Sequence, residues 1–311
     1  MIFNPASGRG RGLKRITIYR RLLGEAIAHV TFVETTRAGE ERELADGAIT
    51  DGYDVLVAVG GDGTWSNVAD RIVASGRDDV ALGILPNGTG NDFGRNLGYH
   101  PDGAADAVRA LAAGVRRRVD VGRLATPSAS EHAPDQFEAR HFLNLVGFGF
   151  DIAVIDAAAR ARFLRGALLY KATALGQLFR FPGLSLHLES SDGRIRSDER
   201  YLMLTISNGA FFGGGFPIAP GASVDDGQLH ACRILDALPH QRLHLFNLAE
   251  RGRHVGSGRV EVLDDAGFRV SFDEPPRFEM DGEVRIASSR TLEVSVLPRA
   301  LQVVAPRDRG R

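Results

Sequence analysis

The sequence predicts an open α/β domain followed by an antiparallel β-rich domain, and three observations support this division. Short β-type runs alternate with amphipathic segments through about the first 120 residues, which is the pattern of a parallel sheet with crossover helices. A polar stretch at 126–140, TPSASEHAPDQFEAR, then marks a boundary. Beyond it the strands alternate more strictly and carry Asp-Gly hairpin signals at 192–193 and 281–282.

In the first region, each predicted strand is a short apolar run bounded by turn-forming residues, as in VLVAV before GGDG and ALGIL before PNG. Each predicted helix is an amphipathic segment between two such runs. The predicted strands span 1–3, 30–34, 53–59 and 81–85, and the predicted helices span 13–23, 40–49, 64–74 and 101–113. In the second region, helical stretches at 152–181 and 239–251 interrupt the strands.

Length and composition fit this division. A chain of 311 residues exceeds the size at which a single core usually keeps growing, so two domains are expected. A net charge of −1 gives no general attraction to nucleic acid, so we expect no nucleic-acid partner and only local anion sites. The single cysteine, Cys232, excludes an internal disulfide framework and suits a reducing compartment.

The sequence also bears on location. It opens on MIFNPASGRGRG, without the basic-then-apolar pattern of a signal peptide. The most apolar stretch, 166–184, is interrupted by Lys171, Arg180 and Pro182, which a membrane-spanning helix rarely tolerates. We therefore expect a cytoplasmic protein that is able to contact the inner face of the membrane.

Three loops of small residues follow predicted strands of the first region: NPASGRG, GGDGTWSN and LPNGTGNDFGR. Each loop by itself is most often only a turn. In an open parallel sheet, however, ligands bind where the carboxyl ends of strands meet helix N-termini. Together the loops indicate a site for a nucleotide phosphate, although the P-loop and Rossmann signatures are absent. Lysine occurs only at 14 and 171, so backbone N–H groups, a divalent metal and arginine must neutralise the phosphates.

These loops and several later motifs resemble the diacylglycerol kinase catalytic-domain family of lipid kinases, in particular its bacterial members. GGDGT is shared with NAD kinases and phosphofructokinases, but the later motifs make the resemblance specific. The motifs that match, in the family's order, are Asn4-Pro5-x-Ser7-Gly8, Gly60–Thr64, Pro86-x-Gly88-Thr89-x-Asn91-Asp92-Phe93, Gly147-Phe148-Gly149-Phe150-Asp151, Ser207-Asn208-Gly209, Pro220-x-Ala222, Asp225-Asp226-Gly227 and Asp281-Gly282-Glu283.

The resemblance implies a nucleotide-binding α/β domain at 1–122, to which residues from about 298 to 311 return, and a C-terminal antiparallel β-sandwich domain at 123–297. It implies ATP as the phosphoryl donor. The sequence departs from the family at WSN after GGDGT, where many bacterial members have Leu-Asn-Glu, and its first strand is short. The residues implied to bind ATP are Asn4, Pro5, Ala6, Ser7, Gly8, Thr36, Gly60, Gly61, Gly63, Thr64, Trp65, Ser66, Asn67 and Thr89.

The same resemblance implies that Glu283 is the general base and that Asp62 acts on the metal side of the site. A carboxylate near the acceptor hydroxyl can take its proton as the new bond forms. From the segment alone, Asp281-Gly282 is a hairpin turn and Glu283 a solvated strand residue. The two interpretations are compatible, since a rigid hairpin can present a catalytic carboxylate.

A second metal site is implied at the turn SVDDGQ. Alternating oxygens on a tight turn suit Mg²⁺, and the resemblance implies Ser223, Asp226 and the Gln228 backbone as ligands. The alternative is an acidic turn without an ion. A catalytic Mg²⁺ that accompanies ATP is expected independently, because the transferred phosphoryl group needs its charge neutralised.

The acceptor site is predicted at Asn91 and Asp92, which either orient the acceptor or cap the following helix. The stretch 158–171, AARARFLRGALLYK, mixes arginines with large apolar residues. It is typical either of a helix at a lipid surface or of a helix packed on its own domain with a solvated face.

Together these features predict an ATP-dependent kinase that phosphorylates a hydroxyl of a diacylglycerol-like lipid at a membrane surface. One alternative keeps the fold and changes the acceptor to a sphingoid base or to NAD. Another is a nucleotide- or lipid-binding protein without catalysis. A homodimer is compatible with all three hypotheses.

Overall fold

The computed structural model describes residues 1–7, 12–27, 29–88, 90–99, 103–126, 139–160 and 167–306. The chain forms two compact units. The first unit comprises Met1–Val121, Gly213–Gly215 and Pro298–Arg311, and the second comprises Gly122–Phe212 and Phe216–Leu297.

The elements of residues 1–125 are, in chain order, β1 (Ile2–Phe3), α1 (Gly12–Ala26), β2 (Val33–Glu34), α2 (Glu41–Thr50), β3 (Val55–Gly60), α3 (Asp62–Ala74), β4 (Ala81–Pro86), α4 (Asp92–Asn96), α5 (Ala104–Ala113) and β5 (Arg116–Ala125).

The later elements are β6 (Arg140–Phe142), β7 (Leu145–Gly149), α6 (Phe150–Arg160), α7 (Ala167–Arg180), β8 (Leu184–Ser190), β9 (Arg196–Ser207), β10 (Phe211–Phe212), β11 (Phe216–Pro217), β12 (Leu229–Leu235), α8 (Pro239–Ala249), β13 (Val260–Asp265), β14 (Gly267–Ser271), β15 (Arg277–Met280), β16 (Glu283–Ile286) and β17 (Thr291–Val304).

A parallel sheet organises the first unit. Its strands lie in the order β2-β1-β3-β4, and the end of β17 pairs with β4 in the same direction. Every residue of β4 is buried, as expected for a parallel strand covered on both faces. The register Ile2↔Ala58 and Val59↔Leu85 brings the carboxyl ends of β1, β3 and β4 to one edge of the sheet.

Antiparallel strands dominate the second unit. β9 pairs with β8 along its first half and lies between β7 and β12 along its second half. One side of the strands faces a core that contains Phe148, Tyr201 and Phe278, and a separate apolar cluster contains Leu178 and Cys232. Hairpins join β8 to β9 and β15 to β16 at the two predicted Asp-Gly positions. The predicted fold class, α/β followed by antiparallel β, is confirmed.

Several predicted boundaries were wrong. Helix α3 begins at Asp62 rather than Thr64, because Gly61 adopts the extended conformation of an N-cap residue. The helical stretch predicted at 152–181 holds α6 and α7 on either side of residues 161–166, which lie outside the described residues. The short helix α4 had no counterpart in the prediction. Within the described part of the chain, no helix combines the length and apolar character needed to cross a membrane.

Candidate functional site

The small-residue loops of the first unit meet at the carboxyl ends of its parallel strands. The Asn4 N–H donates to Val59 O at 3.2 Å, and the Asn87 N–H donates to Gly60 O at 2.7 Å. A Cβ atom on Gly88 would lie 2.6 Å from the Cα of Gly61, closer than real Cβ contacts allow. The two loops therefore cross backbone to backbone, and this crossing requires glycine.

The crossing lies at the N-terminus of α3. Gly61 has no side chain with which to cap the first N–H groups of that helix. These N–H groups and the positive end of the helix dipole together suit a phosphate. Gly60 is needed just before them, since a Cβ atom there would lie 2.5 Å from the side chain of Thr64. Gly63 lies in the same first turn.

A hydrogen-bonded network lines the same edge. The Asn4 side-chain amide donates to Glu41 Oε1 at 2.8 Å, and the Ala6 N–H donates to Asn4 Oδ1 at 3.0 Å. The Asn87 amide donates to Ser7 Oγ at 2.8 Å, and Ser7 Oγ in turn donates to Asn4 O at 2.7 Å. Glu41 is almost fully buried, and sequence reasoning missed it because an acidic residue in a first helical turn usually only complements the helix dipole.

The remaining residues predicted to bind nucleotide have varied environments. The Trp65 side chain is fully buried and donates to Ala58 O at 3.1 Å, so it belongs to the core and leaves only backbone atoms for a ligand. Ser66 and Asn67 are also buried. Pro5 is half-buried. Gly8 and Thr89 lie outside the described residues.

The threonine pair after β2 is divided between core and solvent. Thr35 is buried, and its N–H donates to Phe3 O at 2.9 Å. The predicted residue, Thr36, is exposed, and its hydroxyl donates to Glu40 Oε2 at 2.9 Å. The exposed hydroxyl is the one of the two that a ligand can reach from solvent.

Two carboxylates approach each other beside the crossing. The Phe93 N–H donates to Asp62 Oδ1 at 3.0 Å. The Gly214 N–H donates to Asp92 Oδ2 at 2.8 Å. A Cβ atom on Gly90 would lie 3.1 Å from Asp62 Oδ2 and 3.4 Å from Asp92 Oδ2. Both carboxylates therefore face the same glycine, and Asp62 rather than Asp92 supplies a carboxylate to the backbone at the start of α4.

Asn91 and Asp92 were predicted at the acceptor site or as a helix cap. Asn91 is the N-cap residue of α4 in the left-handed conformation, and its side chain bonds to the backbone of Gly88. Burial, and secondarily the charge of Asp62, raises the pKa of Asp92 to about 7. The Gly214 N–H and the Arg95 guanidinium, whose Nε lies 3.5 Å from Asp92 Oδ1, oppose this increase.

We predict that Asp92→Asn removes part of the pH dependence of folding stability. Because the pKa of Asp92 is higher in the folded than in the unfolded chain, its contribution to stability is complete below about pH 4 and is lost as pH rises towards 7. At about 1.4 kcal/mol per pKa unit, the unfolding free energy of the variant should increase by up to about 4 kcal/mol relative to that of wild type between pH 4 and 8. Denaturant unfolding at several pH values, without metal or nucleotide, measures this difference.

The control for that experiment is Asp106→Asn, which removes an exposed carboxylate of α5. Its unfolding free energy should follow the wild-type curve at every pH. A constant offset between Asp92→Asn and wild type across this range would contradict the prediction.

In the second unit, the turn before β12 is closed by Asp226. The N–H groups of Ser223 and Gln228 donate to its two carboxylate oxygens at 3.1 and 3.0 Å. His230 Nε2 lies 3.0 Å from Asp226 Oδ2, and His230 Nδ1 lies 2.8 Å from Asp264 Oδ1. The histidine was not predicted, because only the pairing of β12 with β13 brings Asp264 beside it.

The hairpin between β15 and β16 is anchored by a buried carboxylate. Asp281 accepts N–H groups from three consecutive residues, 143–145, at 2.7, 2.8 and 3.1 Å. Asp281 and Gly282 both have positive φ angles, 47° and 91°. Glu283, the next residue, is exposed, and its Oε2 accepts a hydrogen bond from Arg285 Nη2 at 2.6 Å. A rigid turn thus presents an accessible carboxylate.

The side chains of the stretch 158–171, predicted to lie either at a lipid surface or on its own domain, are outside the described part of the structure. Residues 161–166 are not among the described residues, and the side chains on either side of them are not described. The two alternatives stay predictions.

Both regions of the chain match known protein families, and the whole chain is similar to curated relatives. Residues 1–124 match the diacylglycerol kinase catalytic domain, and residues 144–305 match the YegS C-terminal NAD kinase beta sandwich-like domain. The chain is 29% identical over 307 residues to a diacylglycerol kinase of Mycobacterium tuberculosis, covering 98% of this chain and 94% of that protein. It is 26% identical over 313 residues to a diacylglycerol kinase of Bacillus subtilis, covering 100% of this chain and 97% of that protein.

A solved structure shares the fold. The crystal structure of a diacylglycerol kinase from Bacillus anthracis matches with a TM-score of 0.71 at 17% sequence identity, covering 98% of this chain and 95% of that chain. At this identity the likeness concerns the fold alone.

Proposed function

Because this chain belongs to the diacylglycerol kinase catalytic-domain family and is a lipid kinase, we propose that it transfers the γ-phosphoryl group of ATP to a hydroxyl of a diacylglycerol-like lipid. The hydroxyl oxygen bonds to the γ-phosphorus, the bond from that phosphorus to the bridging oxygen breaks, and ADP leaves. The product is a phosphatidate-like lipid phosphate. The observation that carries the proposal is the crossing of Gly61 and Gly88 at the N-terminus of α3.

In this proposal the first unit binds ATP. The first N–H groups of α3 hold the phosphates, since the N-cap residue Gly61 supplies no side-chain acceptor to them and they lie at the positive end of a helix dipole. Ser7 and Asn4 lie beside them, and Thr36 supplies an exposed hydroxyl. Gly8 and Thr89 are assigned to the same site by the family resemblance alone.

Glu283 is the proposed general base. Its carboxylate takes the proton of the acceptor hydroxyl as the oxygen attacks, and the anchored turn at Asp281 keeps it in one place. The ion pair with Arg285 orients the carboxylate without burying it. Asn91 and Asp92 are assigned to the acceptor because they lie on the loop that crosses the phosphate-binding backbone.

Mg²⁺ fits the donor chemistry at Asp62, where two carboxylates face the same glycine. When bound with ATP, the ion neutralises charge on the transferred phosphoryl group.

The turn at Asp226 fits a second, structural ion less closely. Its carboxylate already accepts two backbone N–H groups and lies against His230, which leaves about one of its roughly four acceptor positions for a metal. Ser223 and Gln228 would complete such a site with oxygen atoms.

We predict that Mg²⁺ without nucleotide stabilises the wild-type protein through Asp226. At a concentration about ten times the dissociation constant, the midpoint of thermal unfolding should rise by about 2 to 4 °C. Asp226→Asn should abolish the increase, whereas Asp225→Asn should preserve it, because the Asp225 carboxylate bonds to the Ser223 side chain rather than to the backbone of the turn. An equal increase in both variants would exclude Asp226 as a ligand.

The acceptor class is tested by incubating the purified chain with γ-labelled ATP, Mg²⁺ and a set of acceptors: diacylglycerol and a sphingoid base in mixed micelles, and NAD in solution. The proposal predicts label in the diacylglycerol fraction. Label in the sphingoid base or in NAD would reassign the acceptor. ATP binding without transfer to any acceptor would favour a binding protein.

A further inference from the structure

The turn that carries Glu283 rests on buried polar groups that the proposed reaction does not use. On one side of the strands, Glu279 of β15 is paired with Gly147 of β7, which is paired in turn with Thr205 of β9. Side chains of directly paired residues stand on the same face of a sheet, so Glu279 and Thr205 flank a position that has no side chain. Glu279 and Thr205 are fully or almost fully buried.

The carboxyl group of Asp151 fills that position. Helix α6 begins immediately after β7, and its first turn brings Asp151 back over the strand. A Cβ atom on Gly147 would lie 2.0 Å from Asp151 Oδ2 and 3.2 Å from Glu279 Oε2. A side chain on residue 147 would therefore displace the Asp151 carboxyl group, and the two carboxyl groups converge on the same point.

Asp151 is 3% exposed, and no donor among the described residues makes a well-aligned hydrogen bond to either of its oxygens. Burial raises the pKa of Asp151 to about 7, against the opposing effect of its own N–H and that of Ile152. An ionised, unpaired carboxylate at this depth would be strongly destabilising, particularly beside a second carboxyl group. The neutral acid, in contrast, has an O–H group that can donate to Glu279.

Glu279 connects this site to the hairpin. Its Oε1 accepts the N–H of Gly282, the residue immediately before Glu283. The turn is therefore held by two buried carboxylates: Asp281, through the N–H groups of 143–145, and Glu279, through Gly282. The Glu279 carboxyl group lies near the same point beside Gly147 as the Asp151 carboxyl group.

We propose that Asp151 is a positioning residue whose neutral carboxyl group donates a hydrogen bond to Glu279 and thereby fixes the turn that presents Glu283. This inference rests on the proposed function, because Asp151 acts through Glu283. Without the hydrogen bond, Glu279 reorients toward other donors, the Gly282 N–H loses its fixed acceptor, and the position of the base becomes less defined. ATP binding is assigned to the first unit and is not affected.

The primary test compares kcat, the KM for ATP and the thermal midpoint of three variants. Asp151→Asn keeps the shape and a donor, and should retain kcat within about threefold of wild type. Asp151→Ala removes the donor, and should lower kcat roughly 10- to 100-fold with an unchanged KM for ATP, as expected when a reacting group is displaced by about 1 Å. Asp156→Asn, in the same helix, removes a carboxylate paired with Arg277 and should keep the wild-type kcat.

Two outcomes of this comparison overturn the proposal: a wild-type kcat in Asp151→Ala, or an equal loss in Asp151→Asn and Asp151→Ala. If Asp151→Ala does not fold, Glu279→Gln provides the measurement. It keeps the shape of the side chain and removes the charged acceptor, so it should also lower kcat, and a wild-type kcat would overturn the proposal.

A double-mutant cycle separates this inference from the assignment of the base. If Asp151 acts through Glu283, the variant Asp151→Ala/Glu283→Gln should be no slower than Glu283→Gln alone. Multiplicative losses would show that Asp151 acts elsewhere and overturn the inference while the base assignment stands. A wild-type kcat in Glu283→Gln would instead overturn the base assignment itself, and with it any action of Asp151 through that base.

Discussion

Replacing the proposed general base Glu283 by Gln should lower kcat by about 10²- to 10⁴-fold, the usual contribution of a general base. The side chain is exposed on an anchored turn, so the substitution removes a proton acceptor without opening a cavity in the core. The KM for ATP should stay within about twofold of wild type, because the groups assigned to the phosphates belong to the first unit. Steady-state kinetics with the lipid acceptor in mixed micelles measure both quantities.

The matched control is Glu293→Gln. Glu293 lies on β17 and pairs with Arg269, so its replacement also removes one exposed carboxylate from an ion pair between strands. Its kcat should equal that of wild type. A kcat for Glu283→Gln within about threefold of wild type would remove Glu283 from the mechanism, since a general base contributes far more than that.

Replacing Gly88 by Ala should weaken ATP binding by about 100-fold or more if the loop crossing forms the proposed phosphate site. The new Cβ atom would lie 2.6 Å from the Cα of Gly61 and 2.8 Å from Asn91 Oδ1. Because the nearest obstacle is backbone, the two loops must separate, and the first N–H groups of α3 then lose their alignment with the phosphates. Loss of two or three charge-assisted hydrogen bonds, at about 1.5 to 3 kcal/mol each, accounts for the size of the effect.

Gly47→Ala is the control for a methyl group added elsewhere. Gly47 lies within α2, and among the described residues no heavy atom outside its own helix lies within 4 Å of the position of its Cβ atom. The substitution should leave ATP affinity unchanged and stabilise the fold by about 0.5 to 1 kcal/mol. Isothermal titration with ATP and thermal unfolding of both variants distinguish a local effect on the loops from general unfolding. Wild-type affinity in a folded Gly88→Ala variant would contradict the proposed phosphate site.

The sequence predicts much of the first unit because its signals are local. The apolar runs of β3 and β4 are bounded by glycine-rich turns, and a run that is buried on both faces is typical of a parallel strand. Once the strands are parallel, their carboxyl ends share one edge, so the convergence of the loops at Asn4, Gly61 and Asn87 follows from topology. Helix α4 was missed because DFGRN is too short to show a helical period.

Other features depend on contacts between distant residues and could not be read from local patterns. The environment of buried Glu41 includes a hydrogen bond from Asn4, which follows β1. The approach of the Asp62 and Asp92 carboxylates depends on the crossing of two loops. Trp65 follows a motif that suggests a ligand contact, yet its ring packs in the core against Gly94.

The second unit shows the same limit. The Asp-Gly pair at 281–282 predicts the hairpin, because that dipeptide tolerates the positive φ angles of a tight turn. The placement of Asp151 over Gly147 follows from the local connection between β7 and α6, but the position of Glu279 beside it depends on the register between β15 and β7. A shift of one residue would move Glu279 to the opposite face of the sheet.

The most direct test of the central proposal is transfer of label from ATP to diacylglycerol by the wild-type chain and by Glu283→Gln, with Mg²⁺ present. The proposal predicts that label from the γ position appears in a lipid phosphate, that label from the α position does not, and that the variant reduces the transfer by about 10²-fold or more. The absence of γ-label from the lipid, with ATP bound and the protein folded, would contradict the proposal.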